Sequence, residues 1–453
     1  MASTYIKRTF ASTTNRKTFT YSVWVKRGAD NVEVNMLSSG NFSGNPYLDA
    51  RFNVDGTLEW YHYTTGFNFR LKTDRQFKDV SGWYHLVFAV DTTQSTASNR
   101  CKLYVNGVQE TSFSTEQYPS QDYDMAVNYS GYQTSFGSLR DSTVTYDGSM
   151  SHAHFIDGTA YTPSAFGSTD ATTGEWKINT SPSVTYGTNG FFILKDGNSV
   201  TDQSGNSNNF TVAGGTLTKT EDSPSNVFAT LNSLSKGIDQ TLSNGNTTMV
   251  SGTSVTRTPT QSTLGMSSGK YYAEFKITNS AEPIPGVAYT QSNYSVSSGV
   301  GYYPGYTSSA WGYLGSASAI YNNASSVGGT WSSFTSGDII GIAINLDNLQ
   351  GGLNKLYFSK NGVWQNGADP SNFTSVTGVV GITTPSSTTD GYYYFSVGDG
   401  AGSTTSGIEC NFGNGYFGTT AVSSAGTNAS GIGIFEYDVP TGFTALSTKG
   451  LNL

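Results

Sequence analysis

The sequence predicts an all-β protein made of two tandem antiparallel β-sandwiches of jelly-roll type. Three observations lead there. Short alternating runs rich in Val, Ile, Tyr, Phe and Thr recur along the chain and are punctuated by Gly, Asn and Ser, the pattern of strands joined by turns. Of 453 residues, 53 are Gly, 29 Tyr and 25 Phe, and only 12% are charged, about half the share of an average soluble domain. No segment sustains the 3.6-residue period of an amphipathic helix, so one or two short helical turns are all the helix expected.

In chain order, the clearest strands are TFTYSVWVK (18–26), GWYHLVFAV (82–90), KLYVNGVQ (102–109), GKYYAEFKI (269–277), DIIGIAINLD (338–347) and KLYFSKNGVW (355–364). An internal correspondence organises them. GWYHLVFAVD is followed, after a short loop, by KLYVNG, and SGDIIGIAINLD is followed in the same way by KLYFSKNG. Asn106-Gly107 and Asn361-Gly362 each stand where a two-residue hairpin needs positive φ at both central positions. Each half therefore carries a buried strand, a loop and a hairpin. Turn formers interrupt the pattern over 196–265, and Asp222-Ser223-Pro224 marks a turn or extended stretch. The expected division is 1–220 for the first sandwich, 221–234 for a linker, 235–430 for the second sandwich and 431–453 for a C-terminal tail. Trp24, Trp83 and Trp364 fall inside strand patterns and are expected in or at the edge of the cores.

Several function classes are excluded or disfavoured. The 24 Lys+Arg against 32 Asp+Glu give a net charge of −8 with no basic run, which argues against phosphate-held nucleic-acid binding. No stretch approaches the length of a membrane span, and the N-terminal residues lack the apolar region of a secretory signal. Cys101 and Cys410 alone make neither a disulfide framework nor zinc spacing.

Catalytic constellations are equally sparse. A retaining glycosidase needs two carboxylates about 5 Å apart, and one strand supplies them when they alternate toward the same cleft. Glu59, Glu110 and Glu116 have no carboxylate two residues away, Asp122 and Asp124 lack Glu partners, and Glu436-Tyr437-Asp438 has no second Glu. His152 and His154 alternate as a metal pair would, but the simpler expectation is strand histidines capped by hydrogen bonds; His85 belongs to a strand as well. Gly265-Met266-Ser267-Ser268-Gly269 matches a nucleophile elbow by letters, yet a strand follows it where a helix is required. No catalytic residue is assigned.

Recognition is the better expectation. The stretch 297–325 sets Tyr302, Tyr303, Tyr306, Trp311, Tyr313 and Tyr321 among Gly and Ser. Rigid aromatic area with adaptable hydroxyls suits a binding surface for glycans or a partner protein.

The first half, with Trp24-Val25-Lys26-Arg27, Gly82-Trp83-Tyr84-His85, LYVNG at 103–107 and FIDG at 155–158, resembles a LamG-type concanavalin A-like lectin/glucanase domain. The second half, with GKYYAEFKI, SGDIIGIAINLD, LYFSKNGVW and CNFGNGYFG (410–418), resembles a SPRY domain. HFIDGTAYTPSAFG (154–167), YGTNGFFI (186–193), DQSGNSNNF (202–210), DSPSNVFATLN (222–232) and PTGFTALSTKGL (440–451) are similar to virion proteins of tailed bacteriophages of marine bacteria and cyanobacteria. That resemblance implies a non-enzymatic structural component exposed on the virion surface, made in the host cytoplasm. It would be of tail-fibre or receptor-binding type, contacting host surface polysaccharide and other virion proteins, and a homo-oligomer with a trimer favoured. The alternatives are a capsid decoration or knob protein and, from another class, a polysaccharide depolymerase. Calcium is the one cofactor with a case: concanavalin A-like domains often bind it, and Asp202 and Asn206 offer oxygen ligands in a tight turn.

Overall fold

The computed structural model describes residues 4–140, 144–195, 200–253, 259–289, 303–350, 353–388, 390–400 and 404–453. Strands dominate, and the helical elements among these residues are three-residue 3-10 turns such as Pro163–Ala165 and Pro385–Ser387. The chain divides into two compact units, Met1–Lys219 with Ser223–Ser225, and Thr220–Asp222 with Asn226–Leu453.

The first unit is a two-sheet sandwich. One sheet has eight strands in the order Phe113–Gln117, Phe67–Gln76, Thr57–Tyr63, Tyr47–Phe52, Val34–Gly40, Gln133–Phe136, Tyr5–Thr9 and Thr211–Gly214. The other has six, in the order Phe191–Ile193, Gly148–Asp157, Thr18–Arg27, Tyr84–Asp91, Cys101–Val105 and Val108–Gln109. All these pairings are antiparallel. Period-2 alternation explains which residues meet between the sheets. Phe19, Tyr21, Val23 and Val25 face Trp60, Phe69 and Leu71 within one core cluster.

The six-stranded sheet is buried on its second face too. Val87 and Ile156 point away from the main core and are covered by Phe166, with Tyr161, Val184 and Tyr186 around it. That third layer explains why Tyr84–Asp91 reads as a nearly unbroken apolar run and not a strict alternation.

The second unit repeats the plan. Its larger sheet runs Gln240–Ser243, Thr248–Ser251, Ser406–Asn411, Lys270–Ser280, Ile339–Gln350, Leu353–Lys360 and Val363–Trp364, with Val380–Ile382 and Thr444–Ala445 attached. The facing sheet runs Thr260–Gln261, Tyr394–Asp399, Pro283–Ala288, Ala310–Leu314, Ala319–Asn322 and Ser325–Ser326. Phe275, Ile342, Phe358 and Phe395 belong to the core between them. On the outer face of the larger sheet, Tyr272, Ala343 and Tyr357 are covered by Phe435, Val439 and Phe443.

Two boundaries differ from the sequence reading. Of residues 221–234, read as a linker, the part from Asn226 onward belongs to the second unit, as does 431–453, read as a tail. The amide of Ala229 donates to the Leu446 carbonyl at 2.9 Å and that of Thr448 to the Val227 carbonyl at 2.9 Å, so the two segments hold each other. Phe228, Leu231, Phe435, Phe443 and Leu446 are buried. Their apolar side chains are scattered among turn formers, so no strand period announces them. Phe228, Phe435 and Phe443 cover the outer face of the larger sheet, and Leu231 and Leu446 enter the core between the sheets.

Candidate functional site

The outer face of the eight-stranded sheet collects side chains that alternation would send to solvent, and the register lines them up in three rungs. Ser135 pairs with Ser38, Ser38 with Asp49, Asp49 with Tyr61 and Tyr61 with Arg70. On one side, Arg51 pairs with Glu59 and Glu59 with Lys72. On the other, Gly40 pairs with Tyr47, Tyr47 with Tyr63 and Tyr63 with Phe67. A register shift between His62 and Tyr63 brings Phe67 onto this outer face.

The middle rung is a buried polar ladder. Asp49 is fully buried; Ser38 Oγ donates to one carboxylate oxygen, and Tyr61 Oη donates to the other at 3.1 Å. Burial pushes the Asp49 carboxyl up to about 6, with the two hydroxyl donors pulling the other way. Burial and the neighbouring Asp49 carboxylate raise the Tyr61 hydroxyl far above its ordinary value, so it remains a donor. Glu59, 1% exposed, is clamped between two guanidinium groups. Arg51 reaches Oε2 at 2.8 Å through Nε and 2.7 Å through Nη2, and Arg70 Nε reaches Oε1 at 2.6 Å. Arg51 also pairs with Glu33 at 3.1 Å. These charge-assisted bonds fix the rung in place.

The outer rung is aromatic and open. Tyr47 and Tyr63 stack with centroids 5.4 Å apart and 25° between planes, and Phe67 meets Tyr63 and Tyr61 edge-on at 5.4 Å each. Phe67 is 37% exposed, and Tyr47 and Tyr63 are partly so. Arg140 lies 4.1 Å over the Tyr47 ring, Arg70 4.4 Å over Phe67 and Arg51 5.3 Å over Tyr61. The face thus presents rings and guanidinium groups above a rigid, internally satisfied ladder. That chemistry suits stacking on and hydrogen bonding to a polar ligand.

Residues 1–163 match the Laminin_G_3 family of the concanavalin A-like lectin/glucanases superfamily. The matched segment contains the whole face just described. A comparison with curated proteins gives no match. Among solved structures, similar chains include a heptameric SAP-like pentraxin from Limulus polyphemus, at 14% identity over 36% of this chain and 72% of that one, with a TM-score of 0.28. A human SPRY domain matches at 17% identity over 38% of this chain and 95% of that one, with a TM-score of 0.25. Domain 4 of a GH43 extracellular arabinanase from Geobacillus stearothermophilus, in complex with arabinotriose, matches at 17% identity over 33% and 65% of the two chains, with a TM-score of 0.26.

The residues singled out from sequence lie elsewhere. Trp311 and Tyr313 are core: they are 5% and 0% exposed, and Tyr313 packs against Trp331, Phe334 and Phe358 while its hydroxyl donates to the Ser332 carbonyl. They lie two residues apart on Ala310–Leu314 and so share its inward face. Gly312 between them is approached so closely by the Pro304 carbonyl that a Cβ would sit 1.9 Å from it. Tyr303 and Tyr306 are half-buried and meet edge-on at 5.5 Å, and Tyr321 is half-buried on the neighbouring strand. Tyr302 lies outside the described residues.

Asp202 and Asn206, the suggested calcium ligands, are occupied by their own loop. Asp202 Oδ1 accepts from the amides of Phe192 (2.8 Å) and Ser204 (2.9 Å), and Oδ2 accepts from the Asn208 amide and Ser204 Oγ, both at 2.8 Å. Asn206 Nδ2 donates to the carbonyls of Gly187 (2.6 Å) and Gly190 (2.9 Å). Both Asp202 oxygens are thus committed to N–H and O–H donors, and the Asn206 side chain is engaged through its amide nitrogen in holding the loop. Among the described residues no group of three His, Cys, Asp or Glu side chains is placed to hold a metal ion.

The four histidines are buried, and His85, His152 and His154 are hydrogen-bonded. Trp176 Nε1 donates to His85 Nδ1 at 3.0 Å, which leaves the Nε2 proton for Ser22 Oγ at 2.9 Å. Burial drives His85 down to about 3, so the neutral ring is the working form. His154 Nδ1 meets Tyr186 Oη at 3.0 Å, and the ring stacks on Phe192 at 4.0 Å. Ser267, the middle of the Gly-x-Ser-x-Gly match, sits in an exposed bend directly before Lys270–Ser280.

The face on the eight-stranded sheet was visible in sequence only as Tyr-x-Asp-x-Arg (47, 49, 51) and Glu-x-Tyr-x-Tyr (59, 61, 63). Charged and aromatic residues alternating with apolar ones over two successive strands were the available signal. It takes the pairing register to put them side by side.

Proposed function

We propose that this chain is a non-enzymatic glycan-recognition protein whose first unit binds polysaccharide on the outer face of its eight-stranded sheet. The observation that carries the reading is the partly exposed Tyr47–Tyr63–Phe67 rung, held on a rigid polar ladder inside a concanavalin A-like lectin/glucanase match. Binding without hydrolysis is supported by the carboxylates on this face. Asp49 and Glu59 are both buried, and their oxygens already accept hydrogen bonds from Ser38, Tyr61, Arg51 and Arg70. The resemblance to tailed-phage virion proteins extends this to a tail-fibre or receptor-binding component on the virion surface, oligomeric with a trimer favoured. It would meet host polysaccharide outward and other virion proteins at its attachment point.

The test is direct. Binding of the full chain to a polysaccharide panel should fall about tenfold or more in Tyr63→Ala and Phe67→Ala, with melting temperature nearly unchanged, because stacking contributes about 1 kcal/mol or more per ring. Undiminished binding in both variants sinks this face as the site. Release of reducing ends by the wild-type chain sinks the non-enzymatic reading. Immunogold label on the tail supports the receptor-binding role, label scattered over the head supports a capsid decoration protein instead, and no label ends the virion reading.

A further inference from the structure

Resting on the glycan reading above, the geometry points to a polysaccharide that carries carboxylate groups, with Arg140 as the residue that reads them. Three arginines stand on this face, and two are neutralised. Arg51 is shared between Glu33 and Glu59, and Arg70 is bound to Glu59. Arg140 makes no ion pair among the described residues, and its Nε, though shielded, has no hydrogen-bond partner there. Its guanidinium carbon sits 4.1 Å from the Tyr47 ring centroid, and Tyr47 is itself braced by Tyr63. Asp49 senses the same charge, but both its oxygens are taken by hydroxyl donors and neither bonds to Arg140.

The backbone supports the assignment independently. Arg140 has φ of +55°, a left-handed conformation that residues with a Cβ seldom adopt and that Gly or Asn would take more readily. Ser138 Oγ donates to the Arg140 carbonyl and holds the turn. A strained position occupied by a long cation and aimed onto an aromatic platform is the arrangement expected where a side chain is held ready for a ligand. A guanidinium pre-oriented on a ring offers a two-pronged donor to a carboxylate, while the aromatic rung beside it offers apolar area to the sugar ring. A neutral glycan would offer Arg140 hydroxyl acceptors but no opposite charge.

The experiment measures binding of the full-length chain, by biolayer interferometry at low salt, to polygalacturonate, alginate and hyaluronate. Methyl-esterified forms of the same polymers, neutral dextran and laminarin, and chondroitin sulfate complete the set. We expect at least one uronate polymer to bind and its methyl ester to bind about tenfold more weakly or not at all. Arg140→Ala should lose that discrimination, and Arg140→Lys should restore only part of it because an ammonium lacks the planar fork. Near-UV circular dichroism of each variant should match the wild type. Equal binding of acid and ester, or an Arg140→Ala variant that still discriminates, overturns the assignment. Binding to neutral polymers alone overturns it while leaving the glycan reading standing. Binding to the sulfated polymer alone overturns the carboxylate assignment, and binding to none of them overturns both readings.

Discussion

The two sandwiches solve one structural problem with different chemistry. Each carries an Asn-Gly hairpin on a sheet buried on both faces, and each hairpin is tied to its neighbour strand in the same way. In the first, the Asn106 amide donates to the His85 carbonyl at 2.9 Å and Asn106 Oδ1 accepts from the His85 amide at 2.7 Å. In the second, the Asn361 amide and Oδ1 make the equivalent pair with Ile339, both at 2.8 Å. Both turns have positive φ at Asn and Gly: 48° and 82° at 106–107, 49° and 78° at 361–362. In each, an aromatic from a downstream segment lies against the glycine, Trp176 on Gly107 and Tyr437 on Gly362.

What differs is the polar group that anchors the covering segment. In the first unit it is a neutral histidine, His85, receiving the Trp176 indole N–H. In the second it is a fully buried carboxylate. Glu274 accepts from the amides of Glu436 (2.9 Å) and Tyr437 (2.8 Å), from Tyr272 Oη (3.1 Å) and from Asn411 Nδ2 (3.2 Å). One packing plan thus tolerates either a base that must stay unprotonated or an acid that must be accommodated in the interior, and the two respond to pH with opposite sign.

Acidification should separate the units most strongly. His85 and His62 are held down to about 3 and about 4 by burial, and His154 well below its ordinary value. The folded first unit resists protons that its unfolded chain accepts near 6.5, so its stability is full above that pH and falls as pH drops toward the folded values. Asp49, raised to about 6, offsets part of this. From pH 7 to 5 the first unit should lose roughly 4 kcal/mol. Glu274, pushed up to about 7 by burial, acts the other way: the second unit is most stable below about 4.5 and weakens as pH rises through 7. From pH 8 to 5 it should gain about 2 kcal/mol. Hydrogen exchange read by mass spectrometry resolves the two units in the intact chain. Parallel slopes would break the comparison.

The glycines give the next largest effect. Gly107→Ala and Gly362→Ala place a Cβ 2.5 and 2.6 Å from the Trp176 and Tyr437 rings at positive φ, and each should cost about 2 to 3 kcal/mol. Gly158→Ala, also at positive φ (97°) but with open space around it, should cost only about 1 kcal/mol. Thermal unfolding of the three variants checks this, and equal losses would mean the aromatic cover contributes nothing at the turns.

Smaller still is the anchor itself. Trp176→Phe keeps the ring but removes the donor to His85, and should cost about 1 kcal/mol. It should also raise the His85 pKa, measured by the imidazole resonances in NMR, since an unengaged Nδ1 can accept a proton more easily. Asn106→Ala and Asn361→Ala should each cost about 1 kcal/mol through the lost Oδ1 bond and the left-handed turn. Their near-equality is the sharpest test that the two hairpins are equivalent, and a difference above about 1 kcal/mol would break it.

Much of this architecture was legible in the residues. Alternating Val, Ile, Tyr and Phe placed strands at 18–26, 269–277 and 338–347, which form as Thr18–Arg27, Lys270–Ser280 and Ile339–Gln350, and Asn-Gly marked both hairpins, because these signals are local: side-chain period and the φ a turn demands. Trp311 and Tyr313 were misjudged for a related reason. A Tyr- and Gly-rich strand has the same composition whether its aromatics point in or out, and only the facing sheet decides. The linker and tail were misread because Phe228, Phe435 and Phe443 cover a sheet face without forming a period of their own.

What the sequence determined by itself was the all-β class, the two-fold repeat of strand, loop and hairpin, and the scarcity of charge. Each follows from neighbours along the chain. Only the tertiary structure decided which residues gather on the face of the first unit that we propose for recognition. Ser38, Asp49, Tyr61 and Arg70 come from four strands, and it is cross-strand register, set by packing between the two sheets, that makes them one row.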